Sequence, residues 1–219
     1  MSEILSEQRE VTNFHSIALE GAGKMTYRPG TEESLTIEAD ARVIPHILTE
    51  VHDGRLIIRR EPSWRPDLPG YSSTIRYWVT VKQLDGIEIS GAAAVTGFPM
   101  SADRFQLTVT GAADVQLDLS VTELESQLSG ASRVALTGTS SQQTVSVTGA
   151  GHYEAADFPS QRCWVNVSGA GSVSVHALEA LSVSISGSAT VSYRGNPTVQ
   201  QRISGVGRIT RRPDPTIKP

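Results

Sequence analysis

The chain of 219 residues contains a single cysteine, Cys163. One thiol cannot form an intramolecular disulfide, and beside Trp164, just before an apolar strand, it reads as a small packed hydrophobe. Aromatic residues make up only 5% of the chain, so any core must be aliphatic, as a narrow interior demands. No stretch approaches the ~20 consecutive apolar residues of a membrane-spanning helix. No glycine-rich phosphate loop leads into a helix. The five histidines, His15, His46, His52, His152 and His176, lack the spacing of metal ligands. No cofactor and no metal are therefore expected. The net charge of −4 and a pI near 5.7 weigh against a nucleic-acid partner, which calls for basic patches.

What the sequence has instead is a repeat. Seven times a β-branched residue or leucine, any residue, a second apolar residue, Ser/Thr, Gly and a small residue follow one another. Ile87–Ala92, Leu107–Ala112, Val145–Ala150, Val165–Ala170 and Val183–Ser188 are clear copies; Ser126–Ala131 and Gln201–Val206 are worn ones. The glycines fall at 91, 111, 130, 149, 169, 187 and 205, a mean step of (205 − 91)/6 = 19 residues. A fixed period of this size marks a solenoid, in which each repeat stacks on the last. A leucine-rich repeat would need fixed leucines, an Asn/Cys position and often a helical return segment, and none is present. Val, Ile, Ser and Thr in alternation suit strands. The expected fold is all-β, a right-handed parallel β-helix of about 19 residues per coil. Such a coil has a contour of roughly 60 Å, and successive coils lie ~4.8 Å apart.

Stacking converts each repeat position into a column. Two before the glycine stand Ile89, Val109, Leu128, Val147, Val167, Ile185 and Ile203. Four after it stand Val95, Val115, Val134, Tyr153, Val173, Val191 and Ile209. Both columns should line the interior. Three after the glycine stand Ala94, Asp114, Arg133, His152, Ser172, Thr190 and Arg208, an outward column. Asp114, Arg133 and His152 are its candidate site, set against the plainer reading of an outward salt-bridge or polar ladder worth little energetically. Glycoside hydrolysis requires two carboxyl groups about 5–10 Å apart, and no column offers an acidic cluster. The coils are too regular for a long insertion to wall a deep cleft.

Residues 1–10 read as a flexible leader and 11–82 as a β-rich region that caps or begins the solenoid. Residues 83–210 are the repeat region and 211–219 a proline-rich tail. Within 11–82, alternation marks strands over 14–20, 34–39, 44–51, 55–60 and 74–81. His52-Asp-Gly54 is a hairpin signal, and Leu19–Gly23 is a diverged early copy of the phrase. Between the strands over 55–60 and 74–81, Glu61–Tyr71 holds three prolines and must be a loop. Its Trp64 and Tyr71 are candidates for a binding patch, or they fold back onto the edge of the domain.

Arg9–Phe14 followed by Ile17–Gly23 resembles the opening of the bacterial head GIN domain family, labelled an auto-transporter adhesin. Ile47–Ile58 resembles that family's central hairpin, and Leu84–Ala92 the start of its glycine-rich repeats. Val81–Leu84 lacks the proline often found before that leucine. The likeness spans about residues 8–210. It implies a right-handed parallel β-helix on an exported or lipid-anchored protein, and it carries over no catalytic residues. The expectation is a non-enzymatic cell-envelope or surface module, adhesin-like, that binds glycan or protein or serves as a spacer. The alternative is a polysaccharide-active enzyme with a shallow groove. Met1–Glu10 has too few apolar residues to be a secretory signal. The expected location is thus extracytoplasmic with a leader removed, or else cytoplasmic. Unpaired edges at the ends of a β-helix must be capped or paired; the proline-rich tail and the loop 61–71 are candidates for caps, and a homo-oligomer is the alternative.

Overall fold

The computed structural model describes residues 3–64 and 74–213. They form fifteen strands and one short 3₁₀ turn, with no α-helix among them. The N-terminal region contains β1 (Ile4–Arg9), β2 (Ser16–Pro29), β3 (Ser34–Asp40), β4 (Ile47–His52), β5 (Arg55–Arg60) and β6 (Arg76–Val81). The coils follow as β7 (Gly86–Gly97), β8 (Met100–Gly111), β9 (Asp114–Gly130), β10 (Arg133–Gly149), β11 (His152–Gly169) and β12 (Ser172–Gly187). The last turn is split into β13 (Thr190–Arg194), β14 (Thr198–Gly205) and β15 (Arg208–Arg211).

The fold is a parallel β-solenoid, and the phrase glycines are its register marks. Gly91 lies opposite Gly111, Gly111 opposite Gly130, Gly130 opposite Gly149, and so on to Gly205. Gly21 lies opposite Gly91, so Leu19–Gly23 belongs to a true first coil. At Gly149 φ is +110°, and an added Cβ would stand 2.8 Å from the carbonyl oxygen of Gly130. The corner therefore excludes a side chain twice, by its dihedral and by the coil beneath it.

Both predicted interior columns are buried along the rod. Val95, Val115, Val134 and Val191 are fully enclosed, as are Ile89 and Val109. The exceptions lie in the last coil, where Ile203 is 41% exposed and Ile209 half-buried because no described strand stacks beyond them. Tyr153 replaces valine in its column, and the excess polarity is satisfied locally. Its hydroxyl accepts from Gln143 Nε2 at 2.9 Å and lies 3.2 Å from Ser126 Oγ. Cys163 is buried next to this group and contacts Gln143 Oε1 at 3.4 Å.

The N-terminal end is closed by antiparallel strands. β6 runs parallel to β2, β3 antiparallel to β6, and β1 antiparallel to β3. On the neighbouring face β5 runs parallel to β2 and β4 antiparallel to β5. Asp53 and Gly54, with φ of 48° and 74°, form the β4–β5 turn, as expected from His52–Gly54.

Three sequence expectations change. Residues 4–9, read as a flexible leader, form β1, with Ile4 opposite Asp40 and Arg9 opposite Leu35. Arg9 Nη2 donates to the Ile44 carbonyl, and the Glu3 carbonyl accepts from Ala41 N. The strand was hidden because nearly all its side chains face solvent, so no apolar alternation betrays it. Ile44–His46 is a 3₁₀ turn and not the start of a strand, since Pro45 donates no hydrogen bond to a ladder. The ladder also runs past residue 210: β15 includes Arg211, and Arg212 N donates to the Tyr193 carbonyl.

Candidate ligand-binding surface

Asp114, Arg133 and His152 head three successive strands, β9, β10 and β11. Register places Arg133 opposite both Asp114 and His152. All three side chains are exposed. The structure thus brings the predicted trio together in one row. They edge an open groove of about 570 Å³, lined also by Ala92, Ala112, Ala131 and Lys24. The row is a polar ladder without a salt bridge. Among the described residues no ion pair joins Asp114 to Arg133; Asp114 Oδ1 accepts from Gln116 Nε2 at 3.4 Å, and His152 Nδ1 lies 2.6 Å from Ser172 Oγ. The groove is wide and lined by methyl groups, so it offers little to orient a small ligand.

Trp64 folds back onto the domain. Its ring stacks on His46 with centroids 4.7 Å apart at 15°, and the Arg60 guanidinium sits 5.9 Å from its centre. His46 is in turn held by Glu61, Nδ1 to Oε2 at 2.8 Å, which lowers the Glu61 carboxyl pKa. Trp64 also packs against the core. Tyr71 lies outside the described residues.

The sequence reading missed a second aromatic site. On the outer face of the N-terminal sheet, Thr36, Trp78, Thr26 and Thr96 form one row across β3, β6, β2 and β7. The neighbouring row holds Ser34, Thr80 and Arg28 on the first three of these strands. Trp78 is 48% exposed and Phe98 56%. They flank a slot of about 280 Å³ whose remaining walls are Thr26, Arg28, Ser34, Thr36, Val79 and Thr80. The floor is fixed by hydrogen bonds: Thr26 Oγ1 is 3.3 Å from Thr96 Oγ1, and Arg28 Nε donates to Thr80 Oγ1 at 3.2 Å. Phe98 is positioned by its backbone N–H, which donates to the Tyr27 carbonyl at 3.1 Å.

One signal could have found this slot. In Arg76–Val81 the residues Tyr77, Val79 and Val81 are buried. Strand alternation sends Trp78 outward, and an outward tryptophan is the informative kind. Phe98 carried no such signal, because it follows Gly97 outside the alternating strand.

The continuous in-register stack with an antiparallel cap defines a parallel β-solenoid of regular coils. The chain belongs to the family described as putative auto-transporter adhesin, head GIN domain, whose model matches residues 13–197. Among solved structures it is similar to a putative adhesin from Bacteroides fragilis, with TM-score 0.88 and 21% identity over 96% of this chain and 97% of that one. It is also similar to a putative adhesin from Parabacteroides distasonis, with TM-score 0.76 and 19% identity over 96% and 98%. A third likeness is to a putative lipid binding protein from the same species, with TM-score 0.74 and 18% identity over 95% and 96%. At these identities the likeness concerns the fold. No curated protein matches the chain.

Proposed function

We propose that the protein is a non-enzymatic, extracytoplasmic, adhesin-like module that binds glycan chains in the slot between Trp78 and Phe98. The observation that carries this reading is the pair of large exposed aromatics flanking a slot of hydroxyls and one arginine. The C–H faces of a sugar ring gain by covering aromatic surface. Its hydroxyls find Thr26, Thr36, Thr80 and Arg28 as fixed partners, so little ordering cost remains on the protein side. The surface location follows the adhesin description of the family.

Catalysis has no observation in its favour. The slot is walled by hydroxyls, an arginine and apolar groups, whereas glycoside hydrolysis needs a pair of carboxyls. The test is a glycan array, followed by calorimetry on any sugar retained. Trp78→Ala and Phe98→Ala should each weaken binding about tenfold, or ~1.4 kcal/mol, with melting unchanged. Glycan binding indifferent to both changes would move the site elsewhere. A folded protein that retains no glycan would favour a spacer or protein-binding role.

A further inference from the structure

The two ends of the rod are unlike and complementary. β1 and β15 are the two terminal strands of one continuous sheet. Following the pairings, β15 runs parallel to β13, and every step back to β6 is parallel. Two antiparallel steps then lead through β3 to β1. β1 and β15 therefore point the same way. On the neighbouring face the terminal strands are β4 and β14, and they run antiparallel. Among the described residues no strand pairs with the outer edge of any of the four. Among the described residues each end thus presents two rows of unpaired backbone groups. Beyond β2 the first face carries three strands and the second two, so β1 stands one strand further out than β4, while β14 and β15 belong to one last coil.

Charge and apolar surface agree with that arrangement. Residues 180–213 contain five arginines, Arg194, Arg202, Arg208, Arg211 and Arg212, and no Asp or Glu. Arg194 is bound to Asp157 at 2.6 Å. The other four make no ion pair among the described residues. At the opposite end, residues 3–10 hold Glu3, Glu7 and Glu10 against Arg9 alone. The exposed apolar residues also concentrate at the ends, with Ile203 and Val206 at one and Ile4, Leu5 and Val51 at the other.

We infer that the partner of the arginine-bearing C-terminal edge is the glutamate-bearing N-terminal edge of a second copy of this chain, so that the rods join head to tail. β15 meets β1 of the next copy in parallel, while β14 and β4 face each other across the joint one strand spacing short of pairing. The joint is heterologous and leaves a free end at each step, so assembly grows without closing at a dimer.

Sedimentation of the full chain at low ionic strength tests this. The mass should rise with concentration beyond the dimer. It should fall towards the monomer as salt shortens the screening length from about 10 Å to about 3 Å. Arg208→Glu with Arg211→Glu, and separately Glu3→Lys with Glu7→Lys, should each give a monomer, weakening association at least tenfold. Mixed in equal amounts, the two variants present opposite charges at every joint and should co-assemble. Glu3, Arg208 and Arg211 are exposed, and Glu7 is half-buried and paired with Arg9 at 3.2 Å, so melting curves of each variant will show whether it folds. A wild-type monomer at every concentration would overturn the inference. So would a dimer that ignores the N-terminal reversal, which would mean a symmetric contact between C-terminal ends, or mixed variants that stay apart.

Discussion

At the scale of the residue, the corner glycines divide into two kinds. Gly149 has both a positive φ and a neighbouring carbonyl in the way, whereas an added Cβ at Gly21, φ +128°, meets nothing within 4 Å. Gly21→Ala should thus cost only the dihedral strain, roughly 1–2 kcal/mol, and Gly149→Ala about 3 kcal/mol or more. Urea midpoints of the two variants would separate the terms; equal costs would mean that the coils shift apart freely. The buried polar group in the middle of the rod is a second case. Tyr153→Phe strands the Gln143 amide and should cost about 1–2 kcal/mol. Beside it, burial pushes the Cys163 thiol from 9.0 to about 12. Its neutral form is the one the fold holds. Below pH 9 both folded and unfolded thiols are protonated and stability does not change. Above pH 9 the unfolded thiol ionises first, and stability falls until about pH 12. Cys163→Ala should show a shallower alkaline loss in melts run across that window, beyond whatever its cavity costs at neutral pH. Buried Tyr153 and Tyr27, also raised, account for the remaining slope.

At the scale of the element, β1 contributes ladder hydrogen bonds and little apolar burial. Deleting residues 1–10 should lower stability by about 1–2 kcal/mol without unfolding the rod, measured as a lower melting midpoint with an unchanged β-sheet spectrum. Global unfolding would mean that β1 organises the cap. How far each element was legible follows from the same physics. The coils were legible because stacking forces like residues into columns: Val145, Val165 and Val183 announce one another. β1 was not, since an edge strand exposed on both faces needs no apolar alternation. Irregular steps were legible in number but not in place. The step from Gly149 to Gly169 is 20 residues and the next is 18, so β11 must carry surplus chain. It does so as a bulge, where the register with β12 slips between Ala155 and Pro159. The candidate site was half legible. Asp114, Arg133 and His152 were placed in one row by periodicity alone. Trp78 and Phe98 line one slot through the pairing of β6 with β2 and of β2 with β7, and β6 does not share the period that made the rest readable.

At the scale of the whole molecule, a solenoid makes the energetic weight of a residue depend on its place along the rod. Each coil touches only its neighbours, so stability is close to a sum of coils and interfaces. Ile185 and Ile203 are the same residue type in the same column on adjacent coils, opposite one another in register. Ile185 is 1% exposed, covered on both sides; Ile203, at the open end, is 41% exposed. In dilute, high-salt solution Ile185→Ala should cost about 2–5 kcal/mol, the range for a filled core position, and Ile203→Ala less than about 1 kcal/mol. If rods join head to tail, the second number is not fixed. At high concentration and low salt the next rod covers Ile203 in part, and the cost of Ile203→Ala should rise. The cost at Ile185 should stay where it was. Chemical denaturation of both variants at two protein concentrations measures this directly. A cost at Ile203 that ignores concentration would mean that the last coil remains an end in solution.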